Sequence, residues 1–349
     1  LGGWLTDEYT WRWVFYINLP VGILCATGLM LLIKNQVSEA RRSFDMTGFV
    51  LLAIAIGTFQ LMLDRGQQLD WFDSPEIVVE ALVAGVSATM FVLHMLTDDH
   101  PFLSRDLFKN RNLMIGLIFT ALAGLILIVT STLMPPFLQQ LKGYPVFTVG
   151  IVMAPRGAGM MVAMMIVSRL ISRMDARWII AGGLLLCSYS LWEMTQFNLD
   201  VNEARIVWNG VYLGFGLGLV FPPLTTLAFA TIPPRLRTEG AAINALLRNL
   251  GASVGIALLV SLLERSSHTN RAELVEKLTP FNPAWPFGAG TPIGAQEQLL
   301  AMWEGEVTRQ SSMIAYLNDF RAMMLCTLVV IPLLVLMQRQ AMLPRPTRR

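Results

Sequence analysis

Charge is scarce in this chain. Only 14% of its 349 residues are Asp, Glu, Lys or Arg, against about 25% in soluble domains. Apolar residues make up 54%, and the mean hydropathy is +0.55. That balance excludes a water-solvated globular domain and places the chain in lipid. A net charge of +2 is too small to argue for a nucleic-acid partner, and no Lys/Arg run alternates with aromatic stacking residues. Cysteine is nearly absent. Cys25, Cys187 and Cys326 lie in apolar runs with no CxxC or Cys/His spacing, so they read as small core residues. The three histidines, His94, His100 and His268, are scattered and form no ligand set, so no metal is expected. HExxH, GxSxG, an acidic pair within a span and a phosphate-binding Gly-rich loop are all missing, which argues against an enzyme and an ATP-driven pump. The chain also lacks an initiating methionine and a signal-peptide pattern; it begins in mid-pattern at Leu1, and the expectation is that an earlier helix precedes it.

What is present is a series of apolar runs. A span needs about 20 mainly apolar residues to cross ~30 Å of hydrocarbon, because in lipid the backbone must satisfy its own hydrogen bonds. Nine are expected, at about 13–33, 48–63, 77–96, 113–137, 149–171, 178–195, 206–231, 241–263 and 323–338. The fold class is therefore an all-α membrane protein. Lys and Arg favour cytoplasmic loops, and alternate loops differ sharply. One set carries Lys34, Arg41 and Arg42; Arg105, Lys109 and Arg111; Arg169, Arg173 and Arg177; Arg235 and Arg237; and the tail with Arg339, Arg345, Arg348 and Arg349. The opposite short loops carry only Arg12, Arg65, Lys142 and Arg205, with Asp64, Asp70, Asp73 and Glu76 beside them. The carboxy terminus is thus expected in the cytoplasm, and the long segment at about 264–320 outside.

Ionisable residues within spans are functional candidates because their burial is costly. Arg156 follows Pro155, which removes a helix N–H and frees a carbonyl. It either lines a transport path or caps that broken turn. Arg248 shares a helix face with Asn244, Gly251 and Gly255. That face either lines the path or makes an inter-helix hydrogen bond beside a small-residue contact. Gly210, Gly214 and Gly218 recur every four residues before Pro222 and Pro223, which allows close packing and then a bend. Glu193 is either a proton carrier or a side chain that reaches water. The outer segment is expected to run as helix over 264–278, to break over 280–294, and to resume helix over 295–317. It either contacts a partner or lies on the membrane surface.

The opening Leu1-Gly2-Gly3-Trp4-Leu5-Thr6-Asp7 and Trp11-Arg12-Trp13-Val14-Phe15-Tyr16-Ile17-Asn18-Leu19-Pro20 resemble the passage from the fifth to the sixth helix of the fourteen-helix drug:proton antiporters (EmrB/QacA type) of the major facilitator superfamily. Gly2 and Gly3 look like the end of that family's glycine-rich antiporter motif. Asp45, Gly48, Gln60, Asp64, Gly66 and Asp70-Trp71-Phe72 resemble its extra hairpin, and Gln139-Gln140, Gly143-Tyr144 and Pro155-Arg156-Gly157 its next motif-bearing passage. Leu278-Thr279-Pro280-Phe281-Asn282-Pro283 and Ala315-Tyr316-Leu317 with Asp319-Phe320 are similar to the multidrug-efflux branch of that family in Gram-negative bacteria.

The resemblance implies a major facilitator fold in which these spans are family helices 6 to 14, with an incomplete amino-terminal bundle. It divides the chain into 1–43 as the remnant of that bundle, 44–97 as an inserted two-helix hairpin, and 98–349 as a carboxy-terminal six-helix bundle. It further implies proton-coupled multidrug efflux across the bacterial inner membrane by alternating access, with the proton gradient as energy source and no cofactor. The family's proton-coupling acid on helix one and its Arg on helix four would fall outside this chain. By the same resemblance Asn209, Tyr212, Thr130, Ser131, Gln139 and Gln140 line the cavity, and Asp175 and Arg177 match a second cytoplasmic Asp/Arg motif that clips helices together. Gly2, Gly3, Pro155, Pro222 and Pro223 join these as conformational residues. Expected partners are amphipathic drug-like substrates, the bilayer, a periplasmic adaptor and an outer-membrane channel. The alternatives are a transporter of another small molecule, such as a siderophore, fatty acid or metabolite, and a non-transporting structural module.

Overall fold

The structure, a computed structural model, describes residues 2–32, 45–98, 101–277 and 293–337. Lys34, Arg41, Arg42, His100, the motif at 278–283 and the basic tail from Arg339 lie outside the described residues.

Within the described residues the chain is helical throughout. Gly2–Glu8 (α1), Trp13–Tyr16 (α2) and Asn18–Leu32 (α3) precede Met46–Gly66 (α4) and Pro75–Thr97 (α5). The short Arg105–Lys109 (α6) leads into Arg111–Pro136 (α7), Val146–Leu170 (α8), Ala176–Met194 (α9), Glu203–Phe229 (α10), Arg237–Lys277 (α11) and Ile293–Val330 (α12). Eight stretches among the described residues are long and apolar enough to cross a membrane. The ninth expected span is present as α9, a helix of 19 residues. Arg177 and Glu193 near its ends dilute its hydropathy, yet its inner face is fully packed, with Ile180, Leu184, Cys187 and Leu191 all buried.

Side chains start these helices. Asp45 accepts from Gly48 N–H at 2.8 Å, Asn110 from Leu113 N–H at 3.1 Å, and Asn202 from Ala204 N–H at 3.0 Å. Each supplies an acceptor to an N–H that the helix cannot bond internally. α7 ends at Pro135 and Pro136, which bring no N–H to the ladder, and the chain widens into one π turn at Phe137–Leu141.

α7 and α10 form the centre, buried along most of their length, with α8, α9, α11 and α12 around them. One apolar cluster runs through this six-helix bundle, including Phe119, Phe137, Leu184, Leu217 and Phe320. Since lipid tails are as apolar as leucine, close fit of helices holds such a bundle rather than water exclusion. Hence glycine matters at Gly214, where a side chain would run into the Arg156 backbone carbonyl of α8.

α4 and α5 form an antiparallel hairpin beside this bundle, and it is tied at both ends. At its tip Gln67 receives bonds from Trp71 Nε1 at 3.1 Å and from Ser261 Oγ of α11 at 2.7 Å, and donates to Glu264. At its base Asp45 accepts from Phe102 N–H at 2.9 Å and lies 3.0 Å from His94 Nε2, while Glu239 of α11 accepts from Ser104 N–H at 2.9 Å. α1 packs against α8, with Gly3 over the Val146–Phe147 backbone, whereas α3 buries none of its residues.

The helices expected over 264–278 and 295–317 are present, and each is continuous with a span. α11 continues unbroken to Lys277, and α12 is one helix from Ile293 to Val330 rather than a span starting at 323. At 41 residues α11 measures about 60 Å, twice the hydrocarbon thickness. The two helices extend together: Arg271 bonds Glu304 at 2.8 Å, and Ser267 lies 3.4 Å from Ser312. The described part of this segment therefore continues the spans as a pair.

Candidate functional site

α7 shows a stripe of exposed or half-buried residues, Met114, Ile118, Ala121, Leu125 and Ile128, continuing to Ser131 and Thr132. Arginines of two neighbouring helices come against α7 beside it. Arg156 reaches from α8, donating to the Leu127 carbonyl at 3.0 Å and to Ser131 Oγ at 3.2 Å. Thr130, buried on the adjacent face, donates to its own helix at Ile126. Beneath Arg156 is a cavity of about 20 Å³, room for one water, lined by Thr130, Met134, Met153, Gly210 and neighbouring apolar groups.

Arg248 approaches from α11. Gly124 of α7 and Gly251 of α11 bring the backbones together there; a methyl on Gly124 would strike the Arg248 backbone and Cγ. The expected polar face divides its work. Asn244 is buried and accepts from Thr120 Oγ1 at 2.8 Å, while Gly251 and Gly255 make the small-residue contact with Ala121 and Leu125. Arg248 joins neither. It is exposed, and among the described residues its guanidinium has no hydrogen-bond or ion-pair partner. A mid-span cation that faces outward requires water, an anion or another polar surface.

Other residues singled out from the sequence fall elsewhere. Asn209 has no exposed surface; it donates to the Ser190 carbonyl at 2.8 Å and to Glu193 at 2.9 Å and accepts from Ser190 Oγ at 3.0 Å. Its amide joins α9 to α10. Glu193 is paired with Arg205 at 3.2 Å. The Tyr212 ring lies 6.0 Å from Tyr189 and 6.2 Å from Trp208, in an aromatic group of α9 and α10. Gln139 and Gln140 are exposed on the π turn after α7. Asp175 caps α9 by accepting from Arg177 N–H at 3.2 Å. Pro155 immediately precedes Arg156 in α8, and within α10 the Pro222 carbonyl accepts from Thr225 at 2.9 Å and Thr226 at 2.8 Å.

A second, larger hollow of about 500 Å³ lies between α4 and α5, floored by Leu250. Its lining, including Leu52, Phe59, Met62 and Phe91, is apolar throughout and offers no polar group to orient a ligand. Among the described residues no three His, Cys, Asp or Glu side chains converge on a metal-sized space.

Sequence reasoning passed over Gln67, His94 with Asp45, and Asp319. The Asp-x-x-Gly spacing at Asp45 and Gly48 is a helix-start signal. Asp319 was hidden because the hydropathy reading began the last span after it.

Comparison with known proteins matches the description Major Facilitator Superfamily to residues 1–256. The chain is 30% identical over 325 residues to the multidrug export protein EmrB of Escherichia coli, covering 91% of this chain and 63% of the relative. It is 29% identical over 337 residues to the fatty acid resistance protein FarB of Neisseria gonorrhoeae, covering 95% and 66%. The colistin resistance protein EmrB of Acinetobacter baumannii is 28% identical over 291 residues, at 82% and 56%. The chain thus spans less than two thirds of the length of these curated relatives. In structure it is similar to a bacterial homologue of the human lysosomal transporter Spinster, solved in an inward-facing and occupied conformation, with TM-score 0.51, 14% identity, and coverage of 82% of this chain and 67% of that one. At that identity the likeness concerns the fold alone.

Proposed function

Since this chain belongs to the major facilitator superfamily, we propose that it serves as a proton-coupled exporter of amphipathic drug-like molecules in the bacterial inner membrane, working by alternating access. The observation that carries this reading is the pair of arginines brought against α7 beside its partly exposed stripe, one from α8 and one from α11. Arg156 is anchored by two bonds to α7, and Arg248 is exposed, with no hydrogen-bond or ion-pair partner among the described residues. The apolar stripe with few polar groups suits varied amphipathic substrates, and fixed cations suit their anionic or electron-rich groups. No cofactor takes part; the proton gradient supplies the energy. The carboxy terminus lies in the cytoplasm, so the paired extensions of α11 and α12 project from the opposite face. There they offer a surface to a periplasmic adaptor leading to an outer-membrane channel.

A second reading, export of fatty acids, rests on the same two cations and on the name of the Neisseria gonorrhoeae relative. A carboxylate headgroup would meet Arg248, and an acyl chain the apolar stripe.

Inverted membrane vesicles carrying the full-length protein test both. Gradient-dependent uptake of neutral or anionic amphipathic dyes, abolished by a protonophore, is the expected result. Uptake of fatty acids alone would replace the first reading with the second, and absence of gradient-dependent uptake across both classes would overturn both.

A further inference from the structure

Among the described residues Asp319 is the only acidic or basic side chain with no exposed surface at all, 0%. It occupies the middle of the inward stripe of α12, Ser311, Ala315, Asp319, Met323 and Thr327, spaced every four residues. Neither hydroxyl of that stripe serves it. Ser311 donates to the Thr308 carbonyl at 2.9 Å and Thr327 to the Met323 carbonyl at 2.8 Å. Both Asp319 carboxyl oxygens are without a hydrogen-bond partner among the described residues. The rings of Tyr316 and Phe320, on either side of it in sequence, pack on Phe137 at 5.4 and 6.5 Å.

Charged and titratable groups on the packed elements do not compensate it. α7 carries no ionisable residue after Arg111, and the turns 137–141 and 331–336 carry none. On α9, Glu193 is held by Arg205, and Cys187 faces the Leu213 carbonyl. On α11, Glu264 is engaged by Gln67 and Arg271 by Glu304. On α12 itself Arg321 is exposed, and Tyr316, three residues before Asp319, packs its ring on Phe137.

A carboxyl group in this setting has no cation and no donor to stabilise its charge, and it has no surface on which a substrate or hydrated ion could bind. A proton is the one ligand small enough to reach it. We propose that Asp319 is a proton-binding site of the six-helix bundle, taking up and releasing one proton in each transport cycle. On uptake hydronium gives up a proton, its O–H bond breaking as one forms on a carboxyl oxygen; on release that bond breaks and the proton passes back to water when the packing around α12 loosens. The inference rests on the proton-coupled reading above and adds to it a titrating group away from the α7 stripe.

The test uses the full-length protein. Infrared difference spectra between acidic and alkaline samples should show a carboxylic-acid C=O band that disappears in Asp319→Asn. In proteoliposomes that variant should keep substrate counterflow, which needs no gradient, and lose gradient-driven accumulation. Asp319→Glu should restore part of it. Gradient-driven accumulation by Asp319→Asn at the parent's proton-to-substrate ratio, or spectra with no band assignable to Asp319, would overturn the proposal. Should Asp319→Asn fail to insert, the parent's own pH difference spectrum compared with Asp319→Glu decides by whether the band shifts. A parent that shows counterflow without any gradient dependence would instead sink the proton-coupled reading itself, and this inference with it.

Discussion

The backbone carbonyl of Arg156 fills the space into which a side chain on Gly214 would project, so α8 and α10 touch backbone to backbone at the level of the charge. The position of one candidate group is therefore set by the absence of a side chain on its neighbour.

Gly214→Ala should push α8 outward and lower stability by about 1–3 kcal/mol, the usual cost of overpacking. Gly210→Ala, whose new methyl would sit an ordinary 3.7 Å from Arg156 Cβ, should cost little. Thermal unfolding of the two variants in detergent checks this; equal losses would remove the close-contact account.

Arg156→Lys should fail to restore transport lost in Arg156→Ala, because a single ammonium on a flexible stem does not reproduce the fork that bonds Leu127 and Ser131 together. Losing one charge-assisted bond of about 1.5–3 kcal/mol corresponds to roughly tenfold or more in rate. Arg248→Ala should also reduce export while leaving expression and insertion normal, since its guanidinium supports no other described residue. Unchanged efflux by the Arg248 variant would exclude it from the path.

Asn209→Leu should act on stability before substrate range. It strips Ser190 and Glu193 of a buried partner, a loss of about 1–3 kcal/mol. Normal stability with an altered drug profile would assign Asn209 to the transport path.

Asp45 carries a pH signature at the hairpin base. Burial raises its carboxyl, but bonds from Gly48 N–H, the His94 ring and Phe102 N–H, with attraction to His94, outweigh that and hold it below 3.8. A depressed carboxylate contributes stability above its unfolded value, lost as pH falls through the folded one. Asp45→Asn should therefore be less stable than the parent near neutral pH, and the gap should close below 3.8. A gap that persists in acid would assign the effect to shape rather than charge.

Much of this was readable from residue order. Apolar runs located the spans, and the offsets of 4, 7 and 11 residues from Asn244 to Arg248, Gly251 and Gly255 placed one helix face correctly, because helical geometry is local. Which member of that face pairs with Thr120 and which is left exposed depends on how α7 crosses α11, and no local pattern carries that. The helix expected over 295–317 is present, but the sequence placed a separate span from 323, because hydropathy changes along α12 where the helix itself does not end. Gln67 was unreadable because its partners Ser261 and Glu264 are nearly 200 residues away.

The length of α11 and α12 has a mechanical consequence. At about 60 Å, α11 is twice as long as the ~30 Å hydrocarbon core is thick, so about half of it extends past any bilayer that the rest crosses. A tilt of such a helix about its middle displaces its ends farther than any residue within the hydrocarbon core.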